Sequence, residues 1–394
     1  MINEKMLSLG TKRSCIRELF EYGLKRSREI GPENVFDYSL GNPSVPAPSG
    51  VNDAIVHLIQ TENSLSLHGY TPAGGAPAIR EKIAGELLDR YHADISGNDI
   101  FITCGAAPAM TAVLGALNVP NAEIIAIAPY FPEYRVFVEQ AGEKFVELEA
   151  DRENFQIQFP VLKKLLNSNT QAIIVNSPNN PSGTVYSRET LETLAALLTE
   201  KSAEYGHPIY IISDEPYREL VYDGIELPYV PSVYADTVIC YSYSKSLSLP
   251  GERIGYVLVP PCCADHDALF AATAGAARAM GHVCAPSLMQ KMLAECCSLR
   301  PDIEAYDKNR KILYETLSSY GYECVYPKGA FYLFVKAPGG DSQKFSDFAK
   351  TYDLLLVPGG DFGCADYFRI ATCVSMEMIK KSLPVFEKVL REFK

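Results

Sequence analysis

Ile209-Tyr210-Ile211-Ile212-Ser213-Asp214-Glu215-Pro216-Tyr217 carries an apolar run straight into a serine, two carboxylates and a proline. A short, β-branched run with a turn behind it predicts a strand buried on both faces. Similar runs recur at Ile100-Phe101-Ile102-Thr103, Glu123-Ile124-Ile125-Ala126-Ile127, Ala172-Ile173-Ile174-Val175, Thr237-Val238-Ile239-Cys240 and Tyr256-Val257-Leu258-Val259, most of them separated by helical lengths. That alternation predicts an α/β fold, a mostly parallel sheet covered by helices. In such sheets ligands collect at the carboxyl ends of strands, where the next loop begins.

Outward from these strands the pattern changes. Ser14 to Ile30 predicts an amphipathic helix that stops at Gly31-Pro32, followed by an extended stretch to Gly41-Asn42-Pro43. Ala76 to Tyr91 predicts a second helix with Ile79, Ile83, Leu87 and Leu88 on one stripe. The Ala-rich segment Ala268 to Leu293 reads as one long helix or a broken pair. Beyond it a helix over Pro301–Tyr320, strands at 331–335, 354–357 and 367–371, and a closing helix from Met376 make an α+β pattern. We therefore expect a large cofactor-binding domain over 41–290 and a smaller α+β domain built from both chain ends, 1–40 and 291–394. A chain of 394 residues is long enough for two cores.

Charge and cysteine content exclude several classes. A formal net charge of −12 repels a phosphate backbone, so no nucleic-acid partner is expected. No stretch approaches the roughly 18 apolar residues that a membrane helix needs. The 11 cysteines include the adjacent pairs Cys262–Cys263 and Cys296–Cys297 but no CxxC, which suggests neither a disulfide framework nor a metal site. Free thiols suit a reducing compartment, and Met1-Ile2-Asn3-Glu4-Lys5 leads into polar residues, so a cytoplasmic protein is expected.

The residues with chemistry follow the strands. Tyr241-Ser242-Tyr243-Ser244-Lys245 runs on to Gly251-Glu252-Arg253-Ile254-Gly255. A strand-end lysine among small hydroxyls can attack an aldehyde once desolvation or nearby charge frees its amine. Ser242, Ser244 and Arg253 suit a phosphate. The plainer reading of such a lysine is a surface charge, which the S-x-S-K…G-x-R-x-G arrangement disfavours. Asp214 ends its strand partly buried and needs a cationic partner, a protonated pyridine for instance; strand-end aspartates also serve as turn formers or metal ligands. Asn176-Ser177-Pro178-Asn179-Asn180-Pro181-Ser182-Gly183 is a rigid loop that aims an asparagine, or merely a turn. Thr103-Cys104-Gly105-Ala106-Ala107-Pro108 turns a strand into a helix whose first N–H groups suit an anion. Arg369, inside the apolar run Phe368-Arg369-Ile370-Ala371, requires a carboxylate, either a structural one or that of a substrate.

These motifs, in this order and spacing, resemble the class I/II aminotransferases, the fold-type-I pyridoxal phosphate family, from about Asp37 to the C-terminus. The resemblance implies pyridoxal 5'-phosphate held by Lys245 as a Schiff base, with the freed lysine carrying a proton. It implies Asp214 on the pyridine nitrogen and Tyr217 and Asn180 on the ring oxygen. Gly105, Ala106, Ser242, Ser244 and Arg253 would hold the phosphate, Tyr130 would stack on the ring, and Tyr70 would reach the phosphate of a neighbouring subunit in a homodimer. Arg369 would grip the substrate carboxylate, with Asn180 and Gly41-Asn42 lining the same spot. The implied reaction is ping-pong transfer of an amino group between an amino acid and a 2-keto acid. Alternatives on the same fold are a C–S lyase or a decarboxylase, and more remotely a non-catalytic pyridoxal-phosphate-binding regulatory module. Two departures bear on substrate. Gly105-Ala106-Ala107 stands where aspartate-specific relatives place Ser, Thr or Lys, which points to neutral side chains over aspartate. The segment from Gly275 to Pro286, around Arg278 and His282, matches no pattern of the family.

Overall fold

The computed structural model describes residues 2–11 and 14–393. Its central sheet has seven strands in the order Ile100–Thr103, Gly255–Leu258, Thr237–Ser242, Tyr210–Asp214, Thr170–Asn176, Glu123–Ile127 and Lys144–Leu148. All neighbours are parallel except Gly255–Leu258, which runs antiparallel to both of its partners. The mostly parallel α/β sheet expected from the sequence is present.

Both faces of the sheet are covered, which explains why its strands lack polar alternation. Ile124, Ala126, Ile174 and Ile212 join Met110, Val113 and Leu114 of the helix Ala106–Leu117 in one cluster. Ile125, Ile127, Ile173, Val175 and Ile211 point the other way, against Leu191, Leu194 and Leu198 of the helix Arg188–Tyr205. Residues one apart on a strand thus feed different cores. Each buried Ile or Leu contributes about 1.5–3 kcal/mol, and Ile212→Ala would cost about 2–5 kcal/mol through the cavity it leaves.

Register sets the positions of the chemistry. Asn176 pairs with Asp214, and Asp214 with Cys240, so three strands end side by side. Ser242 and Thr103 both pair with Gly255 of the strand between them, which brings their two loops to the same edge.

The Ala-rich segment is a broken pair, His266–Ala279 and Ser287–Cys296, separated at Gly281 with φ 79°. The second helix spans the position 290/291. Its Met292, Leu293 and Cys296 bury with Val51, Leu58, Ile79 and Ile83, and Leu299 packs against the same cluster. From Ile303 onward a four-stranded antiparallel sheet forms in the order Val357–Pro358, Tyr367–Ala371, Tyr332–Lys336 and Cys324–Val325. Helices Ile303–Tyr320, Ser342–Lys350 and Met376–Glu392 accompany it. The N-terminal segment joins this part: Phe36–Asp37 pairs with Leu354–Leu355, and Tyr38 packs among Leu313, Leu333, Phe368 and Phe386. No helix among the described residues is long and apolar enough to cross a membrane.

Candidate active site

The strand ends open onto a cavity of about 260 Å³. Lys245 enters it from the short helix Tyr243–Ser246, which follows directly on the strand Thr237–Ser242. Ser242 Oγ accepts from the Ser244 N–H at 3.1 Å and so caps that turn. The Lys245 side chain crosses to the N-terminal segment, where its Nζ donates to the Gly41 carbonyl at 2.6 Å. Burial, with Arg253 and Arg369 adding to it against an opposing effect of Cys373, brings the amine down to about 8. A fraction of it is therefore an unprotonated nucleophile at neutral pH.

Asp214 faces the same cavity. Burial raises its carboxyl to about 7, an effect that a hydrogen bond from Tyr134 Oη partly opposes. No cationic side chain among the described residues forms an ion pair with it. Its carbonyl accepts from Asn176 Nδ2 at 2.9 Å, and Asn176 Oδ1 accepts from the Asn180 N–H at 2.8 Å, which ties the asparagine loop to the aspartate strand.

At the other end of the cavity stand Ser242, Ser244, Arg253 and the start of the helix Ala106–Leu117. Arg253, at φ 51°, directs Nη1 to Ser244 Oγ at 3.4 Å and to the Pro250 carbonyl at 3.0 Å. Gly105 has φ 100°, and a Cβ there would lie 2.9 Å from Arg253 Nη2, so the close approach needs glycine. The first-turn N–H groups of the helix lack partners within it, and Pro108 in that turn removes none that would be bonded. Arginine, two hydroxyls and a helix start make an anion cradle in a protein of net charge −12.

Arg369 lines the cavity as well. It is 1% exposed on the strand Tyr367–Ala371, donates from Nη1 to Asn180 Oδ1 at 3.0 Å and from Nη2 to the Ser39 carbonyl, and leaves Nε without a partner. No carboxylate of the described residues pairs with it, so the structural salt bridge considered from the sequence is absent there.

Of the residues expected from the sequence, Lys245, Asp214, Tyr217, Asn180, Ser242, Ser244, Arg253, Arg369, Ala106 and Gly41 line this one cavity, with Gly105 directly behind it. Tyr130 does not. Its ring is buried against Phe145 and its hydroxyl donates to Glu147 at 2.6 Å, while the adjacent Phe131 lines the cavity instead. Asn42 is exposed and off the cavity, and Tyr70 is 97% exposed, away from its own chain's cavity. Arg278 is exposed and His282 lies behind Cys104, so the segment from Gly275 to Pro286 contributes nothing to this cavity within one chain. Sequence reasoning missed Phe131, Tyr134, Phe137, Ile16 and Tyr332, apolar or aromatic residues without a motif. Among the described residues no cluster of His, Cys, Asp and Glu could hold a metal.

Comparison with known proteins bears on the family and the fold. The family model described as aminotransferase class I and II matches residues 33–385. The crystal structure of an amino transferase from Eubacterium rectale superposes with a TM-score of 0.97 at 52% identity, covering 100% of this chain and 99% of that one. The aspartate aminotransferase of Pyrococcus abyssi is 29% identical over 398 residues, 97% of this chain and 96% of its own length. Aromatic-amino-acid aminotransferase 2 of Thermococcus litoralis is 28% identical over the same span and with the same coverage. These relatives lend nothing to the lyase, decarboxylase or regulatory alternatives.

Proposed function

The chain belongs to the aminotransferase class I and II family, and from that membership we propose which of its residues carry the reaction and which substrates it takes. It is a pyridoxal-phosphate-dependent enzyme that moves an amino group between an amino acid and a 2-keto acid. The observation that carries our assignment of the site is the convergence of a low-pKa lysine, an unpaired buried acid and a carboxylate-free arginine in one cavity.

The residues present fit the cofactor. Ser242, Ser244, Arg253 and the N–H groups at Gly105-Ala106 would take its phosphate, Asp214 its ring nitrogen, and Tyr217 and Asn180 its ring oxygen. Phe131, rather than Tyr130, would lie against the ring, and Tyr134 would steady Asp214. When bound, pyridoxal phosphate supplies an aldehyde for amines to condense with and a protonated ring that withdraws electrons from the bonds at Cα.

The chain's own groups do the rest. Lys245 Nζ would anchor the cofactor's aldehyde, and its amine would hold the proton taken from the substrate Cα. Arg369 and Asn180 fix the substrate carboxylate, which sets the Cα–H bond beside Lys245. Ile16, Leu40, Phe131 and Phe137 wall the cavity and exclude water, and its only described cations are Lys245, Arg253 and Arg369. With each of these three already assigned, we propose neutral donors, alanine-like, branched or aromatic, over aspartate. We further propose a cytoplasmic homodimer in which the exposed Tyr70 reaches the neighbour's phosphate site; eleven free thiols suit that compartment.

The test is a donor panel. Loaded enzyme is incubated with L-alanine, L-leucine, L-phenylalanine or L-aspartate, with 2-oxoglutarate as acceptor, and the keto acid formed is measured. Faster turnover of aspartate than of all three neutral donors overturns the substrate assignment.

A further inference from the structure

Tyr332 belongs to none of the sequence motifs, yet it touches three of the groups assigned to the reaction. It stands opposite Ala371 on the neighbouring strand and therefore diagonal to Arg369 on the same face. Its ring centroid lies 4.5 Å from the Arg369 guanidinium carbon, and its hydroxyl lies 2.9 Å from the Tyr217 hydroxyl. The third contact is with Gly41, where an added Cβ would come within 1.9 Å of the Tyr332 oxygen. Glycine there leaves the hydroxyl its place, and the Gly41 carbonyl is the one that accepts from Lys245 Nζ.

Both phenols are protonated near neutrality, since burial pushes Tyr332 up to about 12 and Tyr217 well above its ordinary value. A phenol that accepts one hydrogen bond donates its own proton more strongly, because the two bonds polarise each other. A guanidinium over a ring face gains attraction and loses freedom to turn. We propose that Tyr332 is a positioning residue: its hydroxyl donates to Tyr217 and directs the Tyr217 proton at the cofactor's ring oxygen, while its ring holds Arg369 facing the substrate carboxylate. This rests on the site assignment given under the proposed function.

The experiment uses loaded enzyme and three variants. Tyr332→Phe keeps the ring and removes the hydroxyl. A weaker donor leaves the ring oxygen more negative, so the protonated nitrogen beside it keeps its proton to higher pH. The pH midpoint of the visible absorbance therefore rises by roughly half a unit and kcat falls roughly fivefold, with KM for the fastest of the four donors little changed. Gly41→Ala displaces the hydroxyl while keeping Tyr332 and moves the midpoint the same way. Tyr332→Leu removes the ring as well and raises KM roughly fivefold above that of Tyr332→Phe. Midpoints within about 0.1 unit of wild type in both Tyr332→Phe and Gly41→Ala overturn the hydroxyl's role. Equal KM values in Tyr332→Phe and Tyr332→Leu overturn the ring's role. Wild-type protein that takes up pyridoxal phosphate without any visible band overturns the site assignment itself, and the role of Tyr332 with it.

Discussion

Arg369 Nη1 donates to Asn180 Oδ1 at 3.0 Å, which joins a strand of the C-terminal sheet to the loop that ends a strand of the central one. The bond orients the guanidinium while its Nε remains unpaired. Replacing Arg369 with lysine keeps the charge and loses the planar fork. We expect kcat/KM to fall about 100-fold, mostly through KM, with the cofactor absorbance intact. An unchanged KM would remove Arg369 from the carboxylate site.

Lys245 titrates at about 8, so the rate at which unloaded protein takes up pyridoxal phosphate should climb as pH passes through that value. Stopped-flow absorbance between pH 6.5 and 9.5 measures this. Lys245→Ala should show neither the visible band nor turnover. A flat rate profile, or a band that survives the substitution, argues against Lys245 as the anchor.

Asp214 holds its proton to about pH 7 in the unloaded protein, against an ordinary value of 3.8. The folded state binds that proton more tightly than the unfolded one. Its contribution to stability is therefore full below about pH 4 and lost as pH rises through about 7. Unloaded Asp214→Asn should accordingly melt above wild type at pH 8, with a smaller gap at pH 5. In the loaded enzyme the same change should cost roughly 100-fold or more in kcat, because the ring loses its ionic partner. A melting gap that ignores pH contradicts the assignment.

Phe131 and Tyr130 make a paired test of the aromatic wall. Phe131→Ala should weaken cofactor retention about fivefold, the scale of one lost aromatic contact. Tyr130→Phe removes the bond donated to Glu147 and the one accepted from Arg135, and should leave retention alone while lowering the melting temperature slightly. Dialysis against buffer and then absorbance distinguishes them, and the reverse ranking would restore Tyr130.

Tyr70 can be tested by complementation. Lys245→Ala and Tyr70→Ala chains, each inactive alone, should regain about a quarter of wild-type activity when co-expressed. Half of a random mixture is hybrid, and each hybrid holds one intact site. Absence of any gain rules out a site shared between copies.

The sheet and the chemically marked residues were legible in the sequence because their signals are local. Ile209–Asp214 announces a strand and the acid at its end, and Lys245 with Arg253 carries its spacing openly. The illegible features depend on partners far away in the chain. Tyr130 and Phe131 are adjacent aromatics, and only the position of Glu147 and Phe145 decides which one turns inward. Tyr134 is one of 24 tyrosines until the fold brings its hydroxyl to Asp214, 80 residues later. Nor does the sequence say which core Met292 and Leu293 join, since apolar side chains look alike whichever core receives them.

The cavity draws its two kinds of lining from different places. Its polar groups hang largely from the carboxyl ends of sheet strands, whereas Ile16, Leu40, Phe131 and Phe137 come from helices and loops that the sheet does not constrain. Mutational drift at those four positions can therefore reshape the space beside the cofactor while the sheet-borne polar groups stay in place. A laboratory library at positions 16, 40, 131 and 137 would test how far that space sets the preference among donors.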